Sequence, residues 1–229
     1  MAMKLYDLAG ADANLRFSPY CWRAKFALAH KGLAVETVPW RFTEKAAIAF
    51  SGQDRVPVLV DGGKTVADSW AIATYLDEAY ADRPSLFGGD AARAAARFVN
   101  GWADTILNPA IVRLVAAEVY DKIHEKDRDY FRTSREKRFG MSLEAFCADR
   151  DTHVAALRQN LVPVRTVLAA QPYLAGDRPA YADYIVFGSF QWARCVSSFA
   201  LIAADDPVAA WRDRLLDAFD GLARRALAA

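Results

Sequence analysis

The sequence predicts an α/β unit followed by an all-α unit, in the order β-α-β, a loop or irregular helix, β-β-α, and then helices alone. Three observations carry this. Short strand-like runs alternate with helical stripes only as far as about Tyr80. The stretch Ala81-Asp82-Arg83-Pro84-Ser85-Leu86-Phe87-Gly88-Gly89 then punctuates the chain as a linker does. From Asp90 the pattern is helical almost to the end, with Ala, Arg and Leu dominating. The two units are expected at 1–82 and 90–229.

In chain order, Leu5 to Leu8 reads as a strand and Tyr20 to His30 as a helix whose stripe is Trp22, Phe26, Ala29 and Leu33. Strands follow at Val35 to Val38, Val58 to Val60 and Thr65 to Ala67, the last two joined by the turn Asp61-Gly62-Gly63. A helix from Ser69 to Tyr80 presents Ile72, Leu76 and Ala79 on one face. Beyond the linker, a long helix from about Ala91 carries Phe98, Trp102 and Ile106 at four-residue spacing, and Pro109 is expected to kink it. Asp127 to Arg138 is the most charged stretch and reads as a solvated connector or exposed helix face. A helix is expected through Leu143 to Leu168 and a last one from Pro207 to Ala228. Between them, Tyr184 to Trp192 is apolar nearly all round, which requires a central, buried helix.

Composition narrows the function. Hydrophobic residues make up 54% of the 229, enough for a substantial core, and 29 Lys and Arg against 28 Asp and Glu leave a formal charge of +1. No global field therefore favours nucleic acid or an acidic membrane. Small molecules or a second copy of the chain are the expected partners. Cys21, Cys147 and Cys195 lie far apart with no CxxC pair, and there are three histidines, so neither a disulfide framework nor a metal site is indicated. No stretch approaches the roughly 20 apolar residues that span a bilayer, and Asp7 precedes any long apolar run. The cytoplasm is the expected location.

Three short motifs carry chemistry. Ser18-Pro19-Tyr20 stands where the first strand hands over to the first helix, and a hydroxyl at a helix start is set to stabilise an anion. Taken alone it is also an ordinary helix start. Val56-Pro57 sits just before a strand, where a cis proline turns the backbone of Val56 outward to pair with an extended peptide. Asp68-Ser69 at the next helix start offers a carboxylate and a hydroxyl to the α-amino and α-carboxylate of an amino acid, or simply caps the helix. Together, a hydroxyl for a thiolate, a backbone edge for a peptide and a clamp for an amino-acid head group describe a site for γ-glutamyl-cysteinyl-glycine.

On these motifs, in this order, the chain resembles the cytosolic glutathione transferases over nearly its whole length. The resemblance implies a thioredoxin-like first domain, a helical second domain that binds substrate and forms a homodimer, glutathione as co-substrate and no metal. Gly176-Asp177-Arg178-Pro179-Ala180-Tyr181-Ala182-Asp183 looks like the family's turn and capping box before its central helix, but Ala180 stands where the family has Ser or Thr, so half the reciprocal capping is missing. Ser-Pro-Tyr-x-Trp-Arg-x-Lys from Ser18, His30-Lys31-Gly32, Asp127-Arg128-Asp129-Tyr130 and Ser134-Arg135-Glu136 resemble the bacterial β-etherase-like branch.

The resemblance assigns Ser18 to thiolate activation. A free thiol of pKa near 8.5 is only a few per cent ionised at neutral pH, and lowering it by about two units takes roughly 2.7 kcal/mol of preferential anion stabilisation. Val56, Pro57, Asp68 and Ser69 are expected to hold the peptide, with Arg55, Arg41 or Lys45 meeting its glycine carboxylate. Phe17, Tyr20, Trp102, Arg113, Tyr120 and Trp192 are candidates for the pocket of a hydrophobic electrophile; Trp102 and Trp192 also read as core packing. Arg113 is expected to offset charge on a leaving phenolate if it faces the cleft. Asp104 is a candidate to reach a neighbouring subunit's ligand, and Cys21 reads as a packed thiol. The expected reaction is transfer of glutathione to an aromatic electrophile, with cleavage of β-aryl ethers as its specialised form. A glutathione-site protein without turnover, and a glutathione-dependent isomerase, stand as alternatives; the isomerase type carries a Ser-Ser-Cys motif that Phe17-Ser18-Pro19 does not match.

Overall fold

The computed structural model describes residues 2–229. Four strands, β1 (Lys4–Leu8), β2 (Glu36–Trp40), β3 (Val58–Asp61) and β4 (Lys64–Ala67), form one sheet in the order β2-β1-β3-β4. β1 and β2 are parallel, so their connection must cross over, and α1 (Pro19–His30) makes that crossover. The β3–β4 hairpin turns at Gly62-Gly63, where Gly62 supplies a φ of 58°. α2 (Ser69–Ala79) follows β4 and packs its buried Ile72 and Leu76 against the core that Leu5 and Leu59, paired across β1 and β3, share. Lys45–Ser51 is a 3₁₀ segment.

The remaining elements are helical: α3 (Asp90–Trp102), α4 (Asn108–Lys122), α5 (Glu125–Phe139), α6 (Leu143–Phe146), α7 (Arg150–Asn160), α8 (Val162–Leu168), α9 (Tyr181–Val196) and α10 (Pro207–Gly221). The result is a thioredoxin-like α/β domain followed by an α-helical one. In the long helix a π turn at Ala103–Leu107 joins α3 to α4 just before Pro109, whose missing N–H interrupts the regular ladder. Phe98 and Ile106 face outward, 78% and 42% exposed, and Trp102 is half-buried, while Ala96, Asn100, Ala103 and Leu107 face the core. Two helices differ from expectation. The helix expected from Leu143 to Leu168 is three, broken where Asp149 takes a left-handed φ of 56° and again before Pro163. The last helix stops short of Ala228, because Phe219 and Asp220 turn left-handed and send the Phe219 ring to within 5.5 Å of Phe26.

α9 is the central buried helix, and it seats α1. Gly188 lies so close to the start of α1 that a Cβ built on it would stand 2.5 Å from the Pro19 carbonyl oxygen. Phe26 completes the contact, 4.8 Å from Phe187 and 5.3 Å from Tyr184 between ring centroids. At the start of α9, Asp183 accepts from the backbone N–H groups of Leu174, Ala175 and Ala180 and from the Trp211 indole, at 2.7 to 3.2 Å. The Ala180 bond is the surviving half of the capping box. Burial nonetheless pushes the Asp183 carboxyl above its usual range.

Asp183→Ala leaves these donors, the fully buried Trp211 indole among them, without their acceptor. Since each orphan costs about 1–3 kcal/mol, a loss of at least about 3 kcal/mol is expected, which calorimetry should record as a Tm lower by roughly 6–12 °C.

Candidate active site

A cleft of about 510 Å³ lies between Phe17 to Tyr20 at the start of α1, the end of β2 and helices α4 and α5. A smaller pocket of about 380 Å³, lined by Gln53, Pro57 and Asp68, shares Tyr20, Arg55 and Val56 with it. Ser18 lines the cleft as the N-cap of α1. Its Oγ accepts from the Cys21 N–H at 3.3 Å, so the hydroxyl proton remains available to another acceptor. Cys21 itself is fully buried, and burial first, then the Asp7 carboxylate, raises its thiol well above the usual range. It is a packed thiol, inert as a nucleophile.

The Val56-Pro57 bond is cis. Among the described residues, neither the N–H nor the C=O of Val56 hydrogen-bonds within the chain, whereas the Pro57 C=O is taken by the Asp68 N–H at 3.2 Å. Asp68 holds an unfavourable φ of 80°, and its Oδ1 caps α2 through the N–H groups of Trp70 and Ala71. Its Oδ2 takes no bond among the described residues. Ser69 is nearly inaccessible; its carbonyl receives the Tyr181 hydroxyl at 2.7 Å, and its side chain lines neither pocket.

Of the three cations proposed for a carboxylate, Arg55 alone lines the pockets, 81% exposed on its side chain and 3.2 Å from Asp54. Arg41 is spent on the carbonyls of Gly10 and Ala11 and on Glu44, bracing the loop after β1. Lys45 pairs with Asp54 at 3.6 Å and lies over Tyr130. Phe17, Tyr20 and Trp192 do line the cleft. Trp102, Arg113 and Tyr120 do not. Arg113 is corrected most plainly: its guanidinium stacks 4.6 Å over Phe146, because that face of α4 turns toward α6. Tyr120 is flanked by Arg128 and Arg132, and half-buried Trp102 packs against the core.

Asp104 projects from the π turn into the cleft of its own chain and pairs at 2.9 Å with Arg23, which is wholly buried. Arg23 also donates to Asn100 and the Ile185 carbonyl and lies 4.7 Å over the Tyr20 ring. Asn108, which sequence reading missed, donates to Asp104 at 3.3 Å and to the Tyr20 hydroxyl at 3.5 Å, and its buried Oδ1 has no partner among the described residues. Burial first, then Asp104, raises the Tyr20 phenol, so it remains protonated at neutral pH.

The charged stretch on α5 is less solvated than expected. Asp127 is fully buried and accepts from the N–H groups of Phe42 and Thr43 and from the Thr43 hydroxyl, at 2.6 to 3.1 Å. This clasp holds α5 against the loop after β2 and brings Tyr130, Phe131, Arg135 and Arg138 to the cleft opposite Trp40 and Phe42. Only the i, i+4 spacing of Phe131 and Arg135 hinted at a shared face. Among the described residues no group of three or more His, Cys, Asp or Glu side chains is arranged to hold a metal ion.

Residues 13–84 match the family model described as "Glutathione S-transferase, N-terminal domain", and residues 94–216 match "Glutathione S-transferase, C-terminal domain". Glutathione S-transferase U22 of Arabidopsis thaliana is 26% identical over 76% of this chain and 69% of its own length; glutathione S-transferase U26 of the same plant is 25% identical over 87% and 81%. The fold is similar to that of glutathione transferase GSTFuA3 from Phanerochaete chrysosporium, with a TM-score of 0.86 and 24% identity over 96% of this chain and 97% of that one. A Ceriporiopsis subvermispora glutathione S-transferase solved in complex with glutathione superposes with a TM-score of 0.78, 24% identical over 96% and 97%. With the second model alone spanning more than half of the sequence, the chain belongs to the glutathione S-transferase family.

Proposed function

We propose that this glutathione transferase activates the thiol of its co-substrate through Ser18 and transfers it to a hydrophobic aromatic electrophile. The observation that carries the reading is Ser18 itself: a buried hydroxyl whose oxygen accepts from the Cys21 N–H, at the start of α1 and on the wall of the cleft. Donation to sulfur there favours the thiolate, and the helix start adds to it. The peptide runs past Val56, whose backbone polar groups are unengaged, with its α-amino group on the Oδ2 of Asp68 in the smaller pocket and its glycine carboxylate near Arg55. In this reading 1–82 is the glutathione-binding domain and 90–229 the substrate-binding and dimerisation domain, working in the cytosol.

The aromatic walls of the larger cleft suit a flat acceptor. In the specialised form, the thiolate attacks the carbon between a ketone and an aryloxy group; the C–S bond forms, the C–O bond breaks, and the phenolate leaves to take a proton from solvent. Tyr20, a protonated phenol beside Asn108, takes the role first given to Arg113 and donates to the developing negative charge. A chromogenic β-aryloxy ketone tests this form: phenol and thioether should appear together, and their absence beside good turnover of a halogenated nitroarene would leave a general conjugating enzyme.

Ser18→Ala should keep glutathione affinity within a few-fold while lowering kcat by about tenfold to hundredfold and raising the bound thiol's pKa, read from thiolate ultraviolet absorbance against pH. Asp68→Ala should do the reverse, raising the KM for glutathione roughly tenfold by removing a charge-assisted bond.

The homodimer is expected to form through the outward face of α3 and the π turn, where Phe98 and Ile106 are exposed on one side. Light scattering should give twice the mass of the chain, and Phe98→Asp should return it to a monomer.

A further inference from the structure

The cleft holds more positive charge than the chain neutralises. Of its acidic residues, Asp104 is paired with Arg23 and Asp54 with Arg55 and Lys45. Two guanidinium groups remain. Among the described residues, neither Arg135 nor Arg138 has a carboxylate within 4.0 Å, although both line the cleft. Their acidic neighbour on α5, Glu136, is committed to Arg132 at 2.9 Å.

Arg135 is held in place by aromatic rings rather than by charge. Its guanidinium lies 4.8 Å from the Phe131 ring centroid and 5.5 Å from that of Phe42, and one Nη1 donates to the Ser134 hydroxyl at 2.9 Å. With its Nη1 on Ser134 and the Tyr130 side chain beside it, the guanidinium still has N–H donors left over, and a carboxylate matches two such donors with parallel bonds. Burial and the charge of Arg138 both act against the protonated form of Arg135, an electrostatic cost that an anion in the cleft relieves.

We propose that the electrophile of this enzyme carries an acidic group, and that Arg135 and Arg138 bind it. The inference rests on the transferase reading and narrows its acceptor to an aromatic carboxylic acid or a similarly sized anion. Glutathione also bears carboxylates, but α5 contributes nothing to the smaller pocket, where Val56 and Asp68 mark the peptide's course. Arg135 and Arg138 line the larger cleft together with the apolar Val112, Ala116 and Val119 of α4, surroundings suited to the acceptor rather than to a polar tripeptide. The aromatic body lies against Phe42 and Phe131 and the acid reaches the guanidinium edge.

The test compares 4-chloro-3,5-dinitrobenzoate with its methyl ester, each kcat/KM divided by the uncatalysed rate constant with glutathione. The wild-type enzyme should favour the acid at least about tenfold, and the ratio should fall toward one in Arg135→Gln and in Arg138→Gln while the KM for glutathione moves less than threefold. Equal use of acid and ester by the wild type overturns the proposal. So does a rise in the KM for glutathione that matches the rise for the acid, since the guanidinium groups would then serve glutathione's own carboxylate. If neither electrophile is turned over, the transferase reading fails separately, and quenching of tryptophan fluorescence by unreactive 3,5-dinitrobenzoate decides the anion site: tenfold weaker binding in the variants supports it, and unchanged binding overturns it.

Discussion

Everything at the cleft depends on one buried cation. Arg23 has no exposed surface, so its charge must be neutralised inside the protein, and the chain does this with groups from three other elements: the Ile185 carbonyl of α9, Asn100 of α3 and Asp104 of the π turn. These bonds bind the helix that starts at Ser18 to the helical domain. They also aim Asp104 and Asn108 at Tyr20, which the guanidinium covers from its other side. Gly188 lets α9 come close enough for the set to close.

Much of the segments that resemble the β-etherase-like branch is likewise spent on holding the cleft together, although Ser18, Tyr20, Tyr130 and Arg135 of them face into it. Arg23 joins the domains, Lys25 meets buried Asp7 at 2.7 Å, Lys31 meets Asp77 at 2.8 Å, and His30 contacts the Tyr184 hydroxyl at 2.7 Å. Asp127 clasps the loop after β2. These residues assemble a cleft. What the cleft accepts is decided by the side chains that face into it, and about half of those come from α4, α5 and the end of β2.

The two pockets also divide the chemical work. The smaller one lies where the chain enters β3 and leaves β4, and presents the Val56 backbone and a carboxylate oxygen of Asp68 that takes no bond among the described residues, partners of the kind an extended peptide uses. The larger one presents aromatic faces with a few polar groups between them, the usual surroundings of a flat organic ligand. Ser18 stands on the wall of the larger, near the Tyr20, Arg55 and Val56 that both share, the placement on which the proposed meeting of thiol and electrophile rests.

By itself the sequence determined what is local. Alternation and turns marked the four strands and the Gly62-Gly63 hairpin; the helix starts at Ser18 and Asp68 and the Val-Pro step could be named in order, because strands, caps and prolines are governed by residues within a few positions. The break near Phe219 was missed because its left-handed turn goes with packing of the ring on Phe26, and the break at Asp149 because a left-handed Asp is only one of several conformations its sequence allows. The tertiary structure decided the walls. Arg113 looked suited to the cleft and Asp127 to solvent, yet α4 turns the first onto Phe146 and α5 buries the second under Phe42 and Thr43. Asn108, Arg135 and Arg138 carried no local signal of a pocket, because a side chain's surroundings are set by partners 80 or more residues away, as with the 88 between Asn108 and Tyr20, and those distances close only when the two domains meet.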